Sequence, residues 1–234
     1  MKKLLLLVLI TTIPATLFAE QIEIFFPNDG PLQAEGEVKK DKQIGEWKHY
    51  YRDGQLREVS SWKNGEEQGQ AKFFYSNGNL KSEGEFKGGV QDGFWTFYYE
   101  DSGPREKANW LNGNLEGLVE HFYENGNFRS RGNYKSDLKV GVWTFFFESG
   151  VKEQEGTYDN GFREGSWTFF NESGKIRSKG FYKEGLENGY FEFFHPNGEV
   201  EGKGHFKEGV REGVWEIFDL EGRLRIKRNY KPEE

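Results

Sequence analysis

Gly165-Ser166-Trp167-Thr168-Phe169-Phe170-Asn171-Glu172-Ser173-Gly174-Lys175-Ile176-Arg177-Ser178-Lys179-Gly180-Phe181-Tyr182-Lys183-Glu184-Gly185-Leu186-Glu187-Asn188 is one turn of a period that runs through most of this chain. Its opening glycine recurs at Gly45, Gly69, Gly93, Gly117, Gly141, Gly165, Gly189 and Gly213, always 24 residues apart. A fixed period of this length marks a repeat architecture and has to be found before any fold is assigned. Two places after each glycine stands Trp47, Ala71, Trp95, Val119, Trp143, Trp167, Phe191 or Trp215. An aromatic pair follows, such as Phe97-Tyr98 or Phe145-Phe146, and then a turn signal such as Asp53-Gly54 or Asn125-Gly126. The returning segment has a column of small residues: Gly36, Ser60, Gly84, Ala108, Gly132, Gly156, Gly180 and Gly204. A second aromatic column and a second turn, as in Asn64-Gly65, close the unit.

Each unit therefore reads as a β-hairpin plus the turn to the next. Asn-Gly and Asp-Gly between β-prone runs predict two-residue type I′ turns, whose central residues both need positive φ. A two-residue turn at Asp53-Gly54 sets His49 across from Glu58 and Trp47 across from Ser60. The expectation is that the indole lies over that small partner. A two-residue turn at Asn64-Gly65 sets Trp62 across from Glu67 and Glu58 across from Ala71. Side chains alternate faces with period two, so both hairpins place Trp62, Ala71 and Phe73 on one aromatic face. The other face takes the second ring of each pair. There the same register sets Tyr50 across from Arg57 and Tyr98 across from Arg105, as cross-strand aromatic–basic pairs.

The predicted fold is all-β: an elongated single-layer antiparallel meander of stacked hairpins. At about 4.8 Å between strands each unit advances the sheet by roughly 10 Å, giving a body of roughly 80 Å, twisted and coiled. Residues 1–19 read as a secretory signal peptide, with Lys2 and Lys3 before Leu4 to Ile10 and a cut after Ala19. Residues 20–44 read as an atypical capping hairpin, 45–230 as eight tandem units, and 231–234 as a polar tail. Counting the cap, the processed chain has nine hairpins. Asp101-Ser102-Gly103-Pro104 puts its glycine one place late but keeps the period, so it is a changed turn. There is no cysteine, so an exported chain of this kind relies on its sheet and packing alone.

The match at Gly141-x-Trp143-x-Phe145-Phe146-x-x-x-Gly150, with Gly156-x-Tyr158-x-Asn160-Gly161, resembles the MORN-type repeat. More narrowly it is similar to the bacterial variant in proteins labelled as antitoxins of toxin–antitoxin systems. The resemblance covers nearly all of the chain after its leader. It implies an elongated β-scaffold for protein or lipid contact, with structural repeat residues at Gly45, Trp47, Gly93, Trp95, Gly141, Trp143, Gly165, Trp167, Gly213 and Trp215. It implies no catalytic residue.

The search for chemistry returns none. His49, His121, His195 and His205 have no metal-ligand spacing, and the three units between His49 and His121 separate them by roughly 30 Å. Gly174-Lys175 and Gly202-Lys203 lack the upstream glycine of a phosphate loop. The carboxylates follow the period and mark no unique cleft for paired acid–base work. The formal charge is -7, or -9 once Lys2 and Lys3 leave with the signal, which argues against nucleic acid. The reading is thus a non-enzymatic exported scaffold without cofactor or metal, bound to another protein through Tyr50, Tyr98 and Tyr99 with Arg57 and Arg105 nearby. The alternatives are a binder of cell-envelope glycan or other polymer, and an antitoxin-like protein neutralising a partner. Edge strands could also pair two copies. After signal removal nothing indicates membrane attachment.

Overall fold

Two kinds of turn shape the chain, and they explain why one glycine column is not enough. A computed structural model describes residues 18–231. The leader expectation falls largely on residues 1–17, and the end of the tail on 232–234, both outside the described residues. The strands are β1 (Glu20–Phe25), β2 (Leu32–Lys39), β3 (Lys42–Tyr50), β4 (Leu56–Lys63), β5 (Glu66–Phe74), β6 (Leu80–Lys87), β7 (Val90–Tyr98), β8 (Pro104–Leu111) and β9 (Asn114–Phe122). They continue as β10 (Phe128–Lys135), β11 (Leu138–Phe146), β12 (Lys152–Asp159), β13 (Phe162–Phe170), β14 (Ile176–Lys183), β15 (Leu186–Phe194), β16 (Val200–Lys207), β17 (Val210–Phe218) and β18 (Leu224–Tyr230). Each pairs antiparallel with its neighbours in sequence, from β1 with β2 to β17 with β18. The result is one open meander of 18 strands with no helix among the described residues.

The turn at Asn64-Gly65 is the two-residue turn expected, with φ of 56° and 85°. Asn112-Gly113, Asn160-Gly161 and Glu208-Gly209 repeat it. The turn at Asp53-Gly54 is not. Only Gly54 has positive φ, 88°, and its N–H donates to Tyr51 O at 3.0 Å while Tyr51 N–H donates to Gln55 O at 2.7 Å. This is a type I turn followed by a left-handed residue that forms a bulge, the three-residue hairpin loop. Asp53 contributes its carboxylate instead of its backbone: Oδ1 accepts from Gln55 N–H at 3.0 Å. Where Ser102 replaces the glycine, the same loop forms with Ser102 at φ 79°.

The bulge corrects the register beside the loop. His49 faces Glu58 and Trp47 faces Ser60, as expected, but Tyr50 faces Leu56 and Tyr98 faces Pro104. Arg57 and Arg105 are therefore not the partners of Tyr50 and Tyr98. A second bulge sits at the opening glycine. Trp62 faces Glu67 as expected, but Ser60 faces Ala71 and Glu58 faces Phe73, not Ala71. Three residues, Gln68, Gly69 and Gln70, oppose the single Ser61. The opening glycines have φ between 67° and 109°, which is why glycine recurs there. The shift is by two residues, so the faces keep their parity.

The opening bulge also decides where the tryptophan goes. Trp47 does not lie over Ser60, its partner on the following strand. It lies over Gly36 on the preceding one, where an added Cβ would come within 2.4 Å of the ring. The indole N–H donates to Glu37 O at 3.0 Å. The same contact recurs at Gly84 with Trp95, Gly132 with Trp143, Gly156 with Trp167 and Gly204 with Trp215. All five indoles are at most 1% exposed. Rings from the preceding strand meet them edge-on, such as Phe86 on Trp95 at 5.0 Å and Tyr158 on Trp167 at 5.1 Å.

Of the three departures in the Trp column, Phe191 lies over Gly180 as the indoles lie over their glycines, and the other two follow from the same contact. Ser60 and Ala108 carry the Cβ that the glycines lack, and the residues that would have lain over them are Ala71 and Val119. Both are fully buried. Volume is exchanged between neighbouring strands so that the layer stays filled.

Candidate functional site: the two faces of the sheet

The face away from the tryptophans is organised in rows across the strands. The second ring of each pair meets the residue fifteen positions earlier in the chain. Where the ring is tyrosine that residue is glutamate: Tyr50 Oη donates to Glu35 at 2.6 Å and Tyr98 Oη to Glu83 at 2.8 Å. Burial and the nearby carboxylate push the Tyr50 hydroxyl up to about 12. Where the ring is phenylalanine the residue is often a cation: Lys107 over Phe122, Arg131 over Phe146, Lys179 over Phe194 and Lys203 over Phe218, at 5.2–6.0 Å from the centroids. The aromatic–basic pairs expected on this face thus exist, built from a different column.

Tyr99 serves the loops. Its hydroxyl donates to Phe122 O at 2.7 Å, and Tyr51, Tyr75 and Tyr123 make the same bond one unit along. Of the five residues the sequence put forward as contacts, Tyr50, Tyr98 and Tyr99 have their hydroxyls bonded within the sheet. Arg105 stands over Phe97 at 5.9 Å, on the tryptophan side, and Arg57 occupies the equivalent place in its own unit. The structure does not bring the five together.

What the outer face offers is apolar. The column just after the opening glycine holds Phe94, Leu118, Val142, Tyr190 and Val214, each 38–63% exposed. A second column near the other turn holds Val90, Leu138, Phe162, Leu186 and Val210, also exposed. The sequence carried the signal for both, as apolar residues in phase with the repeat, but their exposure was not legible without knowing which face the sheet shelters.

The tryptophan face is a shallow trough. Its floor is the indoles and their edge-on rings. One rim, beside the three-residue loops, holds Arg57, Lys81, Arg105, Arg129, Glu153, Arg177, Glu201 and Arg225. The other rim holds Glu67, Gln91, Leu115, Lys139, Arg163, Glu187 and Arg211. Lys139, Arg163 and Arg211 cap Trp143, Trp167 and Trp215 at 4.3–4.5 Å. Dents of about 140 and 160 Å³ lie between units, one with Arg177 and Glu187 in its lining, the other with Glu201 and Arg211.

Both histidines in the trough are neutral fillers. His121 Nδ1 is 3.0 Å from Ser130 Oγ and its Nε2 is 3.6 Å from Glu106. Burial, helped by Arg129, Lys139 and Arg105, holds its pKa down to about 4. His49 stands 3.6 Å from Glu58, and burial lowers its pKa too. Among the described residues no three His, Asp or Glu side chains converge as metal ligands would.

A family model described as "MORN repeat variant" matches residues 43–64, 67–87, 115–136, 139–160, 163–184, 187–208 and 211–231. The unit it passes over is the one with Ser102 in the loop. No curated protein matches the chain in sequence. Among solved structures, the TCP10 domain of CPAP from Danio rerio, in complex with a peptide of Danio rerio STIL, is 12% identical. That match covers 90% of this chain and 100% of that one, with a TM-score of 0.38.

Proposed function

The chain belongs to the MORN repeat variant family, and we propose that it is a non-catalytic scaffold that binds another protein along the outer face of its sheet. The observation that carries this reading is the exposed row of Phe94, Leu118, Val142, Tyr190 and Val214. These side chains repeat at roughly 10 Å intervals across the strands, save where Ser166 interrupts the row between Val142 and Tyr190. Each is at least 38% exposed, and a recurring row of exposed apolar side chains on one face is the kind of surface a partner covers. A repeated row suits an elongated partner surface, since each unit offers a similar shallow contact.

The leader pattern supports a place outside the cytoplasm, so the partner is sought among exported proteins. In pulldowns on envelope proteins and on isolated cell wall, the wild-type protein should retain a stoichiometric protein partner. The F94S/V142S/Y190S triple variant should lose it, since all three side chains already face solvent and their change spares the core. Retention on cell wall with no protein partner would instead favour the polymer reading. An unchanged partner with the triple variant would remove the outer face from the account.

A further inference from the structure

The trough has a charge pattern independent of the outer face. Rim residues ten positions apart stand at opposite sides of one dent, as Arg177 and Glu187 do, and Glu201 and Arg211. Translating by the repeat gives the other pairs. Arg57 with Glu67 and Glu153 with Arg163 are opposite in sign, like the two pairs seen in the dents. The sign flips from unit to unit, but the compensation is kept. It fails in three consecutive units. Lys81 stands with Gln91, Arg105 with Leu115, and Arg129 with Lys139. None of these four cations makes an ion pair among the described residues. The carboxylate between them is Glu106, which lies on the floor beside His121.

From this we infer that the middle of the trough is a docking site for an extended acidic segment of a protein, held by Lys81, Arg105, Arg129 and Lys139. Four cations against one carboxylate leave three positive charges on a chain that is otherwise acidic. Adjacent units are roughly 10 Å apart, which is also the rise of three residues of extended peptide. A segment crossing the strands with an acidic side chain at every third position would meet one cation per unit. The half-buried ring of Phe97, with Arg105 5.9 Å from its centroid, gives it an apolar contact, and Lys139 stands 4.4 Å over the buried Trp143. The overall formal charge of -7 repels an acidic probe elsewhere, so binding by one has to be local.

The test uses a fluorescent twelve-residue peptide with glutamate at every third position, its glutamine counterpart, and vesicles of anionic phospholipid. Fluorescence polarisation at about 50 mM salt should show binding of the glutamate peptide alone, weakened at least tenfold at about 500 mM. R105Q/R129Q should weaken it at least tenfold, and L115E, which supplies the missing acid of that pair, several-fold. K183Q, an exposed lysine outside the trough, should change nothing. Arg105 and Arg129 are exposed, so melting curves should match the wild type; if the double variant fails to fold, L115E still decides. No binding of the glutamate peptide, equal binding of the glutamine peptide, or an equal loss in K183Q would overturn the site. So would vesicle binding that depends on Arg105 and Arg129 while the peptide stays free.

Discussion

The contact that sets this layer is a glycine without a Cβ under an indole. At Gly84 the missing Cβ would sit 2.2 Å from Trp95. Gly84→Ala therefore has to push a ring that is 1% exposed and bonded to Glu85 O at 3.0 Å. The cost should be about 2–3 kcal/mol, read as a lower urea midpoint. Where alanine already stands, the problem is a different one. Trp62 donates its indole N–H to Ser60 Oγ at 2.9 Å, but Trp110, beside Ala108, has a buried N–H with no partner. Ala108→Ser should supply one and raise stability by about 1 kcal/mol in the same assay. His121 gives the acid dependence. Unfolded, it takes a proton near 6.5; folded, not until about 4. Its contribution is complete above pH 6.5 and is lost as the pH falls toward 4. His121→Phe, the residue at Phe97 and Phe145, should remove a loss of the order of 2 kcal/mol, measured by comparing melts at pH 7 and pH 4.

At the scale of the hairpin, the sequence shows that there are two turns per unit but hides that they differ. Asp53-Gly54 and Asn64-Gly65 look alike as dipeptides, and only the backbone separates a left-handed glycine after a type I turn from a pair with positive φ. The bulges that follow were illegible for the same reason. The two-residue shift at the opening glycine leaves the alternation intact, so periodicity predicts the aromatic face correctly, whereas the one-residue bulge beside the loop carries the column of Arg57 and Arg105 to the tryptophan side. The loop at Ser102 tests the turn assignment. Ser102 holds φ 79° where other units have glycine, and that conformation costs most side chains about 1 kcal/mol or more. Ser102→Gly should stabilise the protein by up to about 1 kcal/mol. No gain would contradict a left-handed Ser102 in this loop.

For the whole molecule, the period, the aromatic face and the meander were all readable from the chain, because every unit repeats the same local instruction. The surfaces were less so. Tyr50, Tyr98 and Tyr99 read as free rings, and each turned out to be bonded to a residue in another strand. The charge exchange between the rims was in the sequence as residues ten apart, but it means nothing until the bulges place both on the tryptophan side. The same column logic describes the last strand. Arg228 occupies the place of the small residue in β18, so no further tryptophan could lie over that strand, and its guanidinium sits 5.0 Å from Tyr230 instead.

Each of these points assumes that neighbouring hairpins share rings across strands and continue as one open sheet. Small-angle X-ray scattering of the purified protein tests that directly. Eighteen strands at about 4.8 Å extend over roughly 80 Å, so the account predicts a radius of gyration of about 23 Å or more and a long-tailed distance distribution. A radius near 17 Å, the size of a compact domain of this length, with a symmetric distribution would contradict it.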